Sequence, residues 1–131
     1  MRCPVSSPGG VGAPFHRAAA VTTLVIAAVY GLIFAGVVSV GRAEAGELGI
    51  LGVAGGVHLV LAAGLWVWPR RLLLAGTAVL QVLLGAMYLA IAPERDPSYE
   101  VWGLTIRALS VLLVILLVAA FAQNPWARRG K

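Results

Sequence analysis

The fold of this chain is decided by residues 48–93, LGILGVAGGVHLVLAAGLWVWPRRLLLAGTAVLQVLLGAMYLAIAP. Two arms of 22 residues each, 48–69 and 72–93, contain no formal charge and meet in the segment WVWPRR, residues 66–71. A helix needs about 20 apolar residues to cross a hydrocarbon layer of about 30 Å, so each arm is long enough to span a bilayer. The proline, the indoles and the two guanidiniums between the arms predict a tight turn at a cytoplasmic membrane surface.

The composition agrees with a membrane protein. Hydrophobic residues make up 60% of the 131 residues and charged residues 11%, whereas a soluble domain carries about 25% charge. The net charge of +5 comes from basic residues at loop positions, without a stripe of interleaved aromatics, so we predict no nucleic-acid partner. The single cysteine, Cys3, excludes a disulfide framework or a CxxC redox pair within one chain.

The apolar runs predict an all-α membrane protein, a four-transmembrane-helix antiparallel bundle in one domain, 18–122. The expected spans are 18–41, 48–68, 72–92 and 101–122, and the flanking segments 1–17 and 123–131 are expected to be basic cytoplasmic tails, the first of them disordered. The motif Ala43-Glu44-Ala45 resembles a signal-peptide cleavage site. We interpret it as a loop, because the uncharged run before it is longer than the usual apolar core of about 7–15 residues.

The charges divide between the two sides of the predicted membrane. One side has seven basic residues and no acid: Arg2, Arg17, Arg70, Arg71, Arg128, Arg129 and Lys131. All five acidic residues lie in the two loops on the other side. The positive-inside rule therefore predicts that both termini are cytoplasmic. Nine arginines against one lysine indicate a GC-rich genome, so we expect the bacterial cytoplasmic (inner) membrane.

Small residues predict where the helices approach each other, because lipid removes the usual hydrophobic drive and close packing must replace it. The predicted packing residues are Ala27, Gly31, Ala35 and Ser39 in span one and Gly52 and Gly56 in span two. Span four presents bulky leucines instead. We therefore expect spans one to three to form the tight core and span four to pack more loosely.

Four polar residues fall near the predicted midplane: Tyr30, His58, Gln81 and Ser110. One interpretation is an interhelical hydrogen-bond layer that fixes register, and the other is a ligand, proton or cofactor site around His58. His58 and Gln81 lie equally far from the 69–71 turn. We therefore expect their side chains to touch, directly or through one water.

Arg107 lies one to two turns into span four and is predicted to form an outer-leaflet site with Glu47 and Glu100. It either reaches the outer surface and pairs with one of these acids, or it binds an external anionic group.

The segment VHLVLAAGL, residues 57–65, precedes the basic turn and the segment GAMY, residues 85–88. These features resemble an uncharacterised family of small four-span integral membrane proteins, mostly from actinobacteria. That family usually has a second histidine one turn earlier, where this chain has Ala54. The resemblance implies the four-span architecture and no known activity.

The chemistry of the chain predicts no cofactor. A bis-histidine haem needs a second histidine at the depth of His58, whereas His16 lies at the membrane edge. A metal site needs three or four clustered ligands, and the predicted midplane offers one, His58. A proton-coupled transporter usually has an intramembrane carboxylate, and all five acids lie in loops. We therefore predict a protein without catalysis of its own, an accessory, scaffold or assembly partner of a larger membrane complex. The alternatives are an oligomeric transporter or channel subunit, and an enzyme or cofactor carrier based on His58. The expected partners are the lipid bilayer and either another membrane protein or a second copy of the chain.

Overall fold

A computed structural model describes residues 13–38, 45–91, 93 and 101–123. The described residues form four α-helices: α1 (Ala13–Phe34), α2 (Ala45–Val67), α3 (Arg71–Ile91) and α4 (Val101–Gln123). The described residues contain no β-strand. All four helices are long enough to cross a bilayer, with mean hydropathies between 1.9 and 2.6. This confirms the prediction of an all-α chain with four helices of membrane-spanning length and composition.

The first helix differs from the predicted span 18–41 at both ends. Pro14 lies in its first turn, where a missing N–H removes no helical hydrogen bond, so residues 13–17 belong to α1 and not to a tail. The other end is set by Gly36, which has a φ of +71°. The N–H groups of Gly36 and Val37 each donate to a carbonyl of the last turn at 3.0 Å, the pattern of a Schellman cap. The glycine thus ends the helix before the uncharged run ends.

The turn between α2 and α3 is built by its own backbone. The N–H of Trp68 donates to Gly64 at 2.7 Å and closes α2, and Pro69 has no N–H with which to extend it. The carbonyl of Arg70 accepts from the N–H of Leu74 at 3.0 Å and begins α3. The Arg70 guanidinium lies 3.9 Å from the centre of the Trp68 ring, so the turn also carries a cation–π pair.

Two further cation–π contacts join the ends of different helices. Arg17 of α1 lies 5.7 Å from the ring of Trp66 in α2. Arg71 of α3 lies 5.2 Å from the ring of Phe121 in α4. The start of α1, the turn after α2 and the end of α4 therefore lie at the same end of the structure, which we call the basic end.

The observed helix contacts differ from the predicted tight core of spans one to three. α1 contacts α2 and α4 extensively, α4 also contacts α3, and α2 and α3 contact each other sparingly although a short turn joins them. Leu113 and Leu117 of α4 are fully buried, at 0% and 1% exposure. The expectation that span four packs loosely is therefore wrong, because these two leucines belong to one core cluster with buried residues of the other three helices.

The small-residue stripe predicted on α1 lies only partly at an interface. Ala27 is buried, whereas Gly31 and Ala35 are exposed. A Cβ added to Gly31 would meet nothing within 4 Å. Ser39 lies outside the described residues. The four-residue spacing of these small residues therefore predicts that they share one face of α1. It does not predict which part of that face contacts another helix.

The close approach on α2 involves Gly52, which was predicted to pack, and Gly55, which was not. A Cβ on Gly52 would lie 2.8 Å from the Phe34 ring, and one on Gly55 would lie 3.2 Å from the Tyr30 Cβ. A Cβ on Gly56 would meet nothing within 4 Å, so its assignment to the interface is wrong. The two glycines in contact with α1 are three residues apart. Rows of side chains at this spacing form one of the two sets of ridges by which helices interdigitate.

Candidate functional site

His58 lies near the middle of α2 with both ring nitrogens bonded and only 1% of its surface exposed. Its Nδ1 is 2.7 Å from the carbonyl oxygen of Ala54, one turn earlier. A carbonyl only accepts, so Nδ1 carries the proton and Nε2 is the free acceptor. The amide nitrogen of Gln81 donates to Nε2 at 2.8 Å. The neutral ring therefore satisfies both of its polar atoms with protein partners.

Gln81 lies near the middle of α3 and provides the main polar link between α2 and α3. Its side chain is 2% exposed and reaches directly to His58 without a bridging group. The amide oxygen, Oε1, is buried and has no hydrogen-bond partner in the described part of the chain. One half of the amide is thus used between helices and the other half is unsatisfied.

Tyr30 connects this pair to α4. Its ring centre lies 5.4 Å from that of His58, with the planes tilted by 41°. A Cβ at Gly55 would lie 3.2 Å from the Tyr30 Cβ, so α1 and α2 approach each other closely beside these two rings. The Tyr30 hydroxyl accepts a hydrogen bond from Nη2 of Arg107 at 3.2 Å. One side chain from each of the four helices therefore contributes to a connected group, which we call the polar centre: Tyr30, His58, Gln81 and Arg107.

Arg107 lies in the second turn of α4 with most of its hydrogen-bonding capacity unused. Its guanidinium lies 5.0 Å from the centre of the Tyr88 ring. Its Nε and Nη1 are buried without a hydrogen-bond partner among the described residues. Glu100 and the side chain of Glu47, predicted to form a site with Arg107, lie outside the described part. A guanidinium within a span is costly in lipid unless an anionic group balances its charge, and none of the five acidic side chains of this protein is among those that the structure describes.

Two further residues, Tyr88 and Gly103, belong to the site although the sequence did not predict them there. A Cβ on Gly103 would lie 2.6 Å from the Tyr88 hydroxyl, so glycine at this position lets the tyrosine lie against α4 beneath Arg107. The Tyr88 hydroxyl is buried and unpartnered within the described residues. The signal available in the sequence was the four-residue spacing of Gly103 and Arg107, which places both on one helix face.

Ser110 was predicted to belong to the midplane layer of hydrogen bonds between helices. It is buried, but its hydrogen bond lies within its own helix. Its hydroxyl donates to the carbonyl of Ile106 in its own helix at 2.8 Å. Thr23 and Thr77 are buried in the same way and also donate to carbonyls of their own helices at 2.7 Å. A hydroxyl satisfies itself on the preceding helical turn, so its depth in the sequence does not predict an interhelical partner.

A groove of about 590 Å³ lies between α3 and α4, and the polar centre forms part of its wall. Three polar residues, Gln81, Arg107 and Ser110, contribute to the lining. The other lining residues are Val82, Gly85, Ala86, Leu89, Val111, Val114 and Ile115. Several of these are exposed, so the groove opens on the outer surface of the helices.

The site contains hydrogen-bonding and cationic groups without a cluster of metal ligands. In the described part of the chain, no three His, Cys, Asp or Glu residues are grouped so that they could hold a metal ion. The resemblance to a four-span family stays a prediction based on residues 57–65 and 85–88. No family model, no curated protein and no solved structure matches this chain.

Proposed function

We propose that this chain is an integral membrane protein without catalysis of its own, which acts as an accessory or assembly partner of a larger membrane complex. The observation that supports the absence of catalysis is the bonding of His58. A general base or a metal ligand needs a free ring nitrogen, and here Ala54 and Gln81 occupy both nitrogens. The histidine thus serves to hold α2 against α3.

The outer surface is consistent with a role based on contact with another membrane protein. Large apolar side chains are exposed on all four helices, among them Val25, Val60, Val82 and Val118. A lipid-facing surface and a surface that receives a partner helix have the same apolar character. The proposed partners are the bilayer together with a larger membrane protein, and nucleic acid is not among them.

We place the protein in a bacterial cytoplasmic membrane with both termini in the cytoplasm. The basic end supports this orientation, because Arg17, Arg70 and Arg71 lie there together and basic residues concentrate on the cytoplasmic side. A reporter fused after Lys131 is expected to be cytoplasmic, and a cysteine at Ser98 is expected to react with an impermeant thiol reagent added outside. Labelling of a cysteine at Arg70 from outside would reverse the orientation.

Purification of the full chain in mild detergent, followed by proteomics, tests the accessory role. We expect a larger membrane protein to co-purify in constant stoichiometry and to persist after exchange into nanodiscs. A pure homo-oligomer would instead support the alternative, a small transporter or channel subunit. The groove beside Arg107 favours that alternative, since an ionisable side chain that lines a cavity between membrane helices is a typical feature of a solute pathway. A chromophore retained by the wild-type chain and lost in His58→Gln would contradict the proposal that the chain has no cofactor.

A further inference from the structure

We propose that the groove between α3 and α4 binds an anionic amphiphile, with its phosphate or carboxylate head group on Arg107 and its hydrocarbon chain along the apolar walls. This site does not depend on the accessory role, because it uses the side of α3 and α4 that opens on the outer surface. The chain can bind such a molecule whether or not a larger protein accompanies it.

The position of the head group follows from the unpaired hydrogen-bond donors of Arg107. Nη2 donates to the neutral hydroxyl of Tyr30, while Nε and Nη1 are buried without a partner in the described residues. A guanidinium presents its N–H groups in a planar fork that matches a phosphate or a carboxylate. An anion at this point would accept hydrogen bonds from Nε and Nη1 and would balance the charge of the guanidinium.

A second unsatisfied donor lies beside the guanidinium. The ring of Tyr88 lies under Arg107 at 5.0 Å, and its hydroxyl is buried without a partner in the described part. A phenolic O–H donates readily to an anionic oxygen. Two donor side chains from adjacent helices, α3 and α4, therefore lie against each other, and one of them, Arg107, also lines the α3–α4 groove. This pairing distinguishes the position from a single cation that only extends towards the interface.

The chain position follows from the shape of the groove. Its lining on α4 extends from Arg107 to Ile115, and the eight steps between these residues correspond to about 12 Å along the helix. This length is close to half of a hydrocarbon layer of about 30 Å, the depth of one leaflet. The volume of about 590 Å³ lies within the usual range of about 300–1,000 Å³ for small-ligand sites.

The surroundings of the groove select an amphiphile over a free anion. The lining beyond the head-group position is aliphatic, including Val82, Val111 and Ile115, and these side chains are exposed on the outer surface. A molecule that is already in the bilayer reaches the groove sideways, whereas a hydrated anion would have to lose its water on apolar walls. Both requirements are met by one chain that carries one negative head group.

The test measures ligand affinity of the full-length chain in uncharged maltoside micelles by isothermal titration. The probes are dodecyl phosphate and dodecanoate, which separate phosphate from carboxylate heads, with inorganic phosphate and dodecanol as the head alone and the chain alone. We expect at least one of the two anionic probes to bind, and inorganic phosphate and dodecanol to bind about tenfold more weakly or not at all.

Two variants address the two halves of the site. Arg107→Gln removes the charge, and Gly85→Leu fills the groove at a position where an added Cβ meets nothing within 4 Å. Each is expected to weaken binding of the anionic probe about tenfold or more. The matched control is Gly76→Leu, on the same helix, equally open and outside the groove lining, which should bind as the wild type does. Circular dichroism of each variant verifies that the helices are retained.

Three results would overturn the proposal: no binding of either anionic probe to the wild-type chain, equal binding by dodecanol or inorganic phosphate, or unchanged affinity in Gly85→Leu. The first would leave Glu47 or Glu100 as the counter-charge of Arg107. The measurement uses the isolated chain, so the absence of a co-purifying partner would count against the accessory role alone.

Discussion

The hydrogen bond between His58 and Gln81 allows a quantitative test of what holds α2 and α3 together. These helices have few other contacts, and the two side chains are 2.8 Å apart with 1% and 2% exposure. In His58→Leu the Gln81 amide loses its acceptor and is left buried with both polar atoms unpaired. We expect the free energy of unfolding to fall by about 1–3 kcal/mol, the usual cost of an unsatisfied buried polar group.

The double variant separates the bond from the loss of each side chain. Gln81→Leu alone strands Nε2 of His58, whereas the pair His58→Leu with Gln81→Leu leaves apolar surfaces that can pack in lipid. The losses of unfolding free energy in the two single variants should therefore add up to more than the loss in the double variant. The difference, the coupling free energy, should lie between about 0.6 and 1.7 kcal/mol, the average and the maximum of the measured interhelical hydrogen bonds.

Reversible unfolding by SDS in mixed micelles, followed by circular dichroism, gives these free energies. Val60→Leu is the matched control on α2, because this side chain is 73% exposed and contributes no hydrogen bond. His58→Gln should stay within about 0.5 kcal/mol of the wild type, since an amide also donates and accepts. A coupling free energy below about 0.3 kcal/mol would refute the assignment of a structural role to this bond.

Three further predictions concern packing. Gly55→Leu should lower the free energy of unfolding by about 1–3 kcal/mol because its side chain enters the contact with α1, whereas Gly56→Leu should leave it unchanged; equal effects would contradict the observed interface. Leu113→Ala should cost about 2 kcal/mol, the low end for leucine truncation because lipid is as apolar as leucine, and Leu112→Ala, 46% exposed, should cost less than about 1. Gly103→Ala should destabilise the protein more than Gly56→Ala, because the new Cβ would lie 2.6 Å from a tyrosine hydroxyl; thermal unfolding in detergent compares the two.

Part of the polar centre was predictable from the sequence. His58 and Gln81 lie equally far from the 69–71 turn, and a fixed rise per residue places them at the same depth whenever α2 and α3 are neighbours. The partner of Arg107 was not predictable, because a hydrogen bond between residues 77 apart in the chain depends on which helices become neighbours. The same holds for Tyr88, whose place beneath the guanidinium requires α3 to lie against α4.

The sequence by itself determined the four helices and the position of the tight turn. These features depend on local quantities: the length of an uncharged run, the missing N–H of Pro69 and the charge-free interval between loops. The end of α1 is also determined by local sequence. Its position is set by the glycine cap at Gly36, however, and not by the length of the apolar run.

Only the tertiary structure decided which faces of these helices meet. A helix in lipid is apolar on the side facing the membrane and on the side facing its neighbours, so hydrophobic periodicity does not distinguish the two. Gly55 and Gly56 are equivalent in the sequence, and Leu112 and Leu113 likewise, yet one member of each pair is buried and the other is exposed. The α3–α4 groove and the unpaired nitrogens of Arg107 have the same origin, since both arise from how the helices are arranged around one another.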